Sequence, residues 1–185
     1  AVGLEADYTG KTKQWLSRIA EQEFIRMFGQ SRFDYVIDYV GYSPLFALVA
    51  ANAPCGVKSI WQHTDLLADQ YKKVGKKQPN KKRLERVLRT YPDFDHIVGC
   101  SPSVMEINRK NLGTPETEQN YTCVKNCIDL ERIEKGLEEE PIIHIDKAKL
   151  NFVTMGRLST EKNQKALICA FLTFVKTYPE SRLYI

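Results

Sequence analysis

The 185 residues are 43% hydrophobic and 27% charged, with 27 Lys+Arg against 23 Asp+Glu and a formal net charge of +4. That composition excludes an intrinsically disordered chain, and 8 Pro with 10 Gly excludes a low-complexity or collagen-like one. No apolar run reaches the roughly 18 to 20 residues of a membrane-crossing helix, the best being Leu45 to Ala53, so a soluble protein of one or two domains is expected.

From Lys11 to Phe28, Trp15, Ile19, Phe24, Met27 and Phe28 recur at helical spacing, and Gly29 follows where a C-terminal cap would sit. A β-rich run, Asp34 to Val40, leads to Ser43-Pro44, a capping residue and a first-turn proline, and then to a helix over Pro44–Ala53. The pattern repeats. A strand over Val57–Gln62 is followed by His63-Thr64-Asp65 and a helical stretch; a strand over Asp95–Cys100 is followed by Ser101-Pro102 and a helix closed by Gly113. Leu150–Gly156 is a further strand, joined by a polar turn to a helix from about Glu161 to Tyr178 that is expected to bury Leu167, Phe171, Phe174 and Val175. Pro179 ends that helix and Arg182–Ile185 begin another strand.

Strands alternating with helices of this length require parallel pairing, because each helix must return the chain to the starting edge of the sheet. The fold class is therefore α/β, built of Rossmann-like parallel units. Function is sought at strand carboxyl ends, where open α/β sheets bind ligands. Composition shifts at Glu138–Pro141, which divides the chain into a domain over 1–140, a linker over 141–149 and the start of a second domain over 150–185. About 36 residues are too few to bury a core, so that second domain is expected to be incomplete.

The cysteines (55, 100, 123, 127 and 169) are odd in number and form no CxxC pair, which argues against zinc and favours a reducing compartment. The first ten residues carry no secretory signal and no initiator Met, so the chain is expected to begin inside a longer gene product.

The strongest chemical signal is Met155–Gln164, MGRLSTEKNQ, between a strand and a helix. Gly156 permits a tight turn and close backbone approach, Arg157 offers a planar fork for paired phosphate oxygens, and Lys162 adds a mobile charge near the helix start. With the free N–H groups of the helix end, these residues suit a diphosphate. A plain strand-to-helix turn with solvated cations fits the same residues.

The run from Phe152 to Ile185 resembles the opening of the nucleotide-sugar domain of retaining GT-B glycosyltransferases, particularly the large family numbered four. The landmarks are Gly156-Arg157-Leu158, Glu161-Lys162, Leu167-Ile168, Ala170-Phe171, Pro179 and Leu183-Tyr184-Ile185. Upstream, FDYVIDYVG, WQHTDL, FDHIVGCS and VKNCIDLERI resemble the later part of that family's acceptor domain. The resemblance implies transfer of a sugar from a nucleoside diphosphate sugar to an acceptor with retention, with no cofactor and no obligatory metal. It implies that Gly156, Arg157 and Lys162 bind the donor diphosphate and that His63 is the catalytic histidine that orients the donor sugar. Without the resemblance, a single His after a strand such as His63 reads more readily as a structural hydrogen-bonder than as a catalyst. Asp65 would hold His63 in one tautomer, contact an acceptor hydroxyl, or cap the next helix. Asn126-Cys127-Ile128-Asp129 matches the family's Asn-Gly-Val-Asp turn with Cys127 in place of Gly, and Ser101 reads as a helix cap.

The resemblance also implies a Gly-rich loop before residue 1 and paired glutamates after residue 185, so the chain is expected to be truncated at both ends and inactive alone. The rival expectations are a non-catalytic GT-B binding or chaperone subunit and a sugar-nucleotide epimerase.

Lys72–Arg89 holds nine cations against Glu85 alone, so the chain's +4 is a +8 segment set against a −4 remainder. Such a patch would hold the protein on anionic lipid or attract an anionic acceptor; a solvated face is the plain alternative. Nucleic acid is not expected as a partner, because no aromatic residue interleaves the cations. The expected location is the cytoplasm, peripheral on the inner face of the membrane, with a glycan, lipid-linked or wall-polymer acceptor in cell-envelope polysaccharide synthesis.

Overall fold

The computed structural model describes residues 9–29, 32–141, 143 and 145–185. It is α/β, with a parallel sheet of four strands in the order β1-β2-β3-β4 (Phe33–Asp38, Cys55–Gln62, His96–Gly99, Tyr121–Cys123) and a separate parallel pair, β5 (Asn151–Val153) and β6 (Arg182–Tyr184). Two compact units divide between Ile128 and Asp129, ahead of the 141–149 segment read as a linker, of which Ile142 and His144 lie outside the described residues.

In the first unit, α1 (Gly10–Phe28) buries Leu16, Ala20 and Phe24, one face at a spacing of four. Of the apolar positions that predict this helix, Trp15, Met27 and Phe28 are exposed. The buried face packs on Leu48, Val49 and Ala53, in and just after α2 (Pro44–Ala51). Ser43 caps α2 by accepting from the Phe46 amide, with Pro44 in the first turn.

The strands pair in strict sequence, with Asp38 opposite Ile60, Ile60 opposite Ile97, and Ile97 opposite Tyr121. Parallel crossovers between successive neighbours, right-handed as a rule, are expected to place the connecting helices on one face. Accordingly α2 packs on α4 (Lys81–Leu88), α4 on α3 (Leu66–Tyr71), and α3 on α5 (Pro102–Leu112). Beneath them Ile60, Leu66, Leu84, Val87, Phe94 and Ile97 are buried, each side chain stabilising by about 1.5–3 kcal/mol.

The second unit holds α6 (Leu130–Glu138), β5, α7 (Gln164–Phe174) and β6. The helix expected over 161–178 starts later and ends earlier. Asn163 adopts the left-handed conformation at φ 51, ψ 38, and a turn over Ser159–Asn163 precedes it, with the Lys162 and Asn163 amides donating to the Ser159 carbonyl. The expected burial also differs: Phe171, Phe174 and Val175 are half-buried and Leu167 is 38% exposed. Two three-residue strands offer too little surface to cover a helix. Aromatic contacts join the strand pair to the helix, with Phe152 edge-on to Phe171 and Phe174 and Tyr178 stacked on Phe174.

Among the described residues no helix is long and apolar enough to cross a membrane.

Candidate functional site

His63 follows the last residue of β2, at the carboxyl edge of the sheet. Its Nε2–H donates to the Tyr39 carbonyl oxygen at 2.6 Å, which fixes the neutral ring as the Nε2–H tautomer and leaves Nδ1 as the acceptor. The ring stacks near Trp61, with centroids 6.3 Å apart, and meets Tyr39 edge-on at 4.8 Å. Tyr39 in turn donates from its hydroxyl to Asn126 Oδ1 at 3.0 Å, so the loops after β1, β2 and β4 meet around one histidine. Asp65 caps α3, its Oδ1 accepting from the Ala68 amide at 3.0 Å. Ser101 caps α5 through the Val104 amide, and Asp129 caps α6 through the Arg132 amide.

The turn carrying His63 is held from behind by a residue that sequence reasoning missed. Asn108, fully buried in α5, accepts from the Leu66 amide at 2.9 Å and donates to the Thr64 carbonyl at 2.8 Å. Only its midhelix position among polar neighbours marks it in the sequence. Asn108→Ala is expected to leave the buried Leu66 amide unpaired at about 1–3 kcal/mol and to release the Thr64 carbonyl, a loss of stability measured by urea unfolding.

Two further buried polar side chains end the strands. Asp38 closes β1 at 6% exposure and accepts from the Gly41 amide at 3.0 Å, while its Oδ2 has no partner among the described residues. Gln62 closes β2 and donates to the Tyr91 hydroxyl at 3.1 Å. Burial pushes the Tyr121 hydroxyl up to about 12 and raises Tyr91 further.

Desolvation also raises the Asp38 carboxyl above its ordinary value, against the lowering effect of the Gly41 and Val40 amides. The folded chain therefore holds this proton more tightly than the unfolded one. The stability it contributes is complete below the ordinary carboxylate range and is lost as pH rises through the raised value. Asp38→Asn keeps the acceptor for Gly41 and removes the ionisation. Its unfolding free energy, compared with the parent's along a pH series, is expected to gain on the parent through the acid range and then level off.

In the second unit, the segment after β5 carries Gly156, Arg157 and Lys162, all exposed. The Lys162 stem lies over Gly156: a Cβ built there would meet its Cγ, Cδ and Cε at 3.6 Å, an ordinary contact. The Gly156 backbone is outside the left-handed region, so no dihedral there requires a glycine. Lys162 stands in the turn before α7, one residue ahead of the left-handed Asn163, and not on the helix. Arg157 is placed through its backbone, whose carbonyl accepts from Gln164 Nε2 at 2.8 Å. Gln164, 8% exposed, was not singled out in the sequence, yet it joins the first residue of α7 to the cationic loop.

The structure thus brings Gly156 and Lys162 into contact and ties Arg157 to the helix start. His63 and Asp65 share the turn before α3, in the other compact unit. All five cysteines are free, and among the described residues no group of three or more His, Cys, Asp or Glu is arranged to hold a metal ion. No protein-family model and no curated protein matches the chain.

Proposed function

We propose that the chain is part of a retaining GT-B glycosyltransferase whose donor is a nucleoside diphosphate sugar. The observation that carries this reading is the loop from Thr154 to Asn163, where an exposed guanidinium and an exposed ammonium follow a parallel strand and precede a helix start. Arg157 would bind diphosphate oxygens as a planar fork and Lys162 as a point charge. Both would neutralise the charge that grows on the leaving nucleoside diphosphate, the interaction that counts most in the transition state.

His63, by the resemblance, would orient the donor sugar. Its Nε2–H is engaged with Tyr39, so the atom left to meet a sugar hydroxyl is Nδ1, an acceptor. The acceptor substrate in this reading is a glycan, a lipid-linked sugar or a wall polymer.

Titration calorimetry of UDP, GDP and ADP against the chain, its Arg157→Ala/Lys162→Ala variant and a His63→Ala variant tests the proposal. A nucleoside diphosphate affinity that depends on the two cations is expected. Equal affinity in the double variant, or no affinity for any of the three in the parent chain, would sink the assignment.

A further inference from the structure

The basic segment is not a uniform charged face. Between α3 and α4 the chain folds back on itself as a tight hairpin, Val74 and Lys77 exchanging backbone hydrogen bonds of 2.9 and 3.2 Å across Gly75-Lys76. Gly75, at φ 62, supplies the positive dihedral that such a two-residue turn needs at its first central position.

The hairpin exposes an apolar side chain among cations: Val74 is 62% exposed, beside Lys72, Lys73, Lys76 and Lys77. Tyr71, at its base, is 49% exposed, with the Lys81 ammonium 5.5 Å from its ring centre. Lys73, Lys76, Lys77 and Lys82 form no ion pair among the described residues, so their charge faces outward uncompensated.

The hairpin is held in place. Gln78 donates to the Tyr71 carbonyl, Asn80 to Asp69, and Arg83 Nε to the Tyr42 carbonyl. Tyr42 shares a 2.6 Å hydrogen bond with Thr64, the residue after His63, which ties the basic segment to the carboxyl edge of the sheet. Of the apolar side chains of α4 itself, Leu84 and Val87 are buried in the core and Leu88 packs against it, so α4 presents cations outward and the hairpin supplies the apolar tip.

We infer that the hairpin of residues 71–77 docks the protein on an anionic lipid surface, Val74 entering the headgroup layer while Lys73, Lys76, Lys77 and Lys82 meet the phosphates. Charge complementarity selects the surface, since a +8 segment on a chain otherwise at −4 is drawn to lipid phosphate while the remainder is repelled. The exposed Val74 selects a bilayer over a soluble polyanion, because only a bilayer offers it an apolar phase. This inference is independent of the glycosyltransferase reading.

Sedimentation of the full chain with phosphatidylcholine vesicles, with and without phosphatidylglycerol, tests it. Pelleting is expected only with phosphatidylglycerol and falls as salt rises. Each cation near such a surface multiplies partitioning about fivefold, so Lys76→Gln/Lys77→Gln is expected to lower it about twenty-five-fold with an unchanged far-ultraviolet circular dichroism spectrum. Val74→Trp is expected to add blue-shifted emission on phosphatidylglycerol vesicles beyond any change in the parent chain. Equal pelleting on phosphatidylcholine alone, or undiminished pelleting of the double variant, overturns the inference. So does unshifted emission at position 74 with displacement by soluble polyphosphate, which would assign the cations to a soluble polyanion.

Discussion

Gly41→Ala is expected to lower the unfolding free energy by roughly 3 kcal/mol or more, combining a left-handed backbone penalty with steric overlap. Gly41 has φ 66, and a Cβ there would lie 2.1 Å from the Trp61 carbonyl oxygen. That oxygen belongs to β2 one residue before Gln62, so no flexible side chain can give way. The same glycine donates its amide to Asp38, and displacing it uncovers a buried carboxylate. Gly41→Asn separates the two causes. Asparagine tolerates a left-handed backbone, so a purely dihedral origin would be relieved, whereas the overlap with Trp61 persists; urea unfolding is expected to show no rescue. Gly75→Asn is the control, with φ 62 and nothing within 4 Å of the added Cβ, and is expected to cost less than about 1 kcal/mol.

Arg157→Ala/Lys162→Ala is expected to weaken nucleoside diphosphate binding about a hundredfold. Each charged hydrogen bond to phosphate contributes about 1.5–3 kcal/mol, and the two together give some 3 kcal/mol at the lower end. Stability is expected to move by less than about 0.5 kcal/mol, because both side chains are exposed and neither anchors a core. That separation gives the experiment its force: affinity falls while the unfolding midpoint stays. Gly156→Ala refines it. The added methyl meets only the Lys162 stem at ordinary contact distance, so the fold is expected to be indifferent while a ligand that lies against the Gly156 backbone is pushed away.

The α/β class was legible because its signals are local and repeated. Ser43-Pro44, Asp65 and Ser101-Pro102 mark helix starts by side-chain chemistry, and in each case the oxygen accepts from an amide three residues on. Strand β4 was missed because three residues, Tyr121–Cys123, carry too little alternation to be seen, and their pairing depends on β3 being beside them. The burial expected for α7 was overestimated for a related reason: periodicity says which face is apolar, not whether anything is there to cover it.

At the candidate site, the cationic loop could be read from residue types alone, whereas its supports could not. Asn108 acts on the His63 turn from 44 residues away, and Tyr39 holds the His63 ring from 24 residues away. Asp38 and Gln62 are polar residues at strand ends, and nothing local in the sequence marks them as buried.

The left-handed joint at Asn163 divides two motions that a continuous helix would merge. Swinging the Lys162 ammonium requires rotation about bonds in a short turn and breaks no rung of α7, whose first carbonyl acceptor is that of Asn163 itself, taken by the Ala166 and Leu167 amides. Amide proton exchange is therefore predicted to fall into two classes across this junction, rapid through Ser159–Glu161 and slow from Leu167 onward, with the change falling within the turn and first residues of α7.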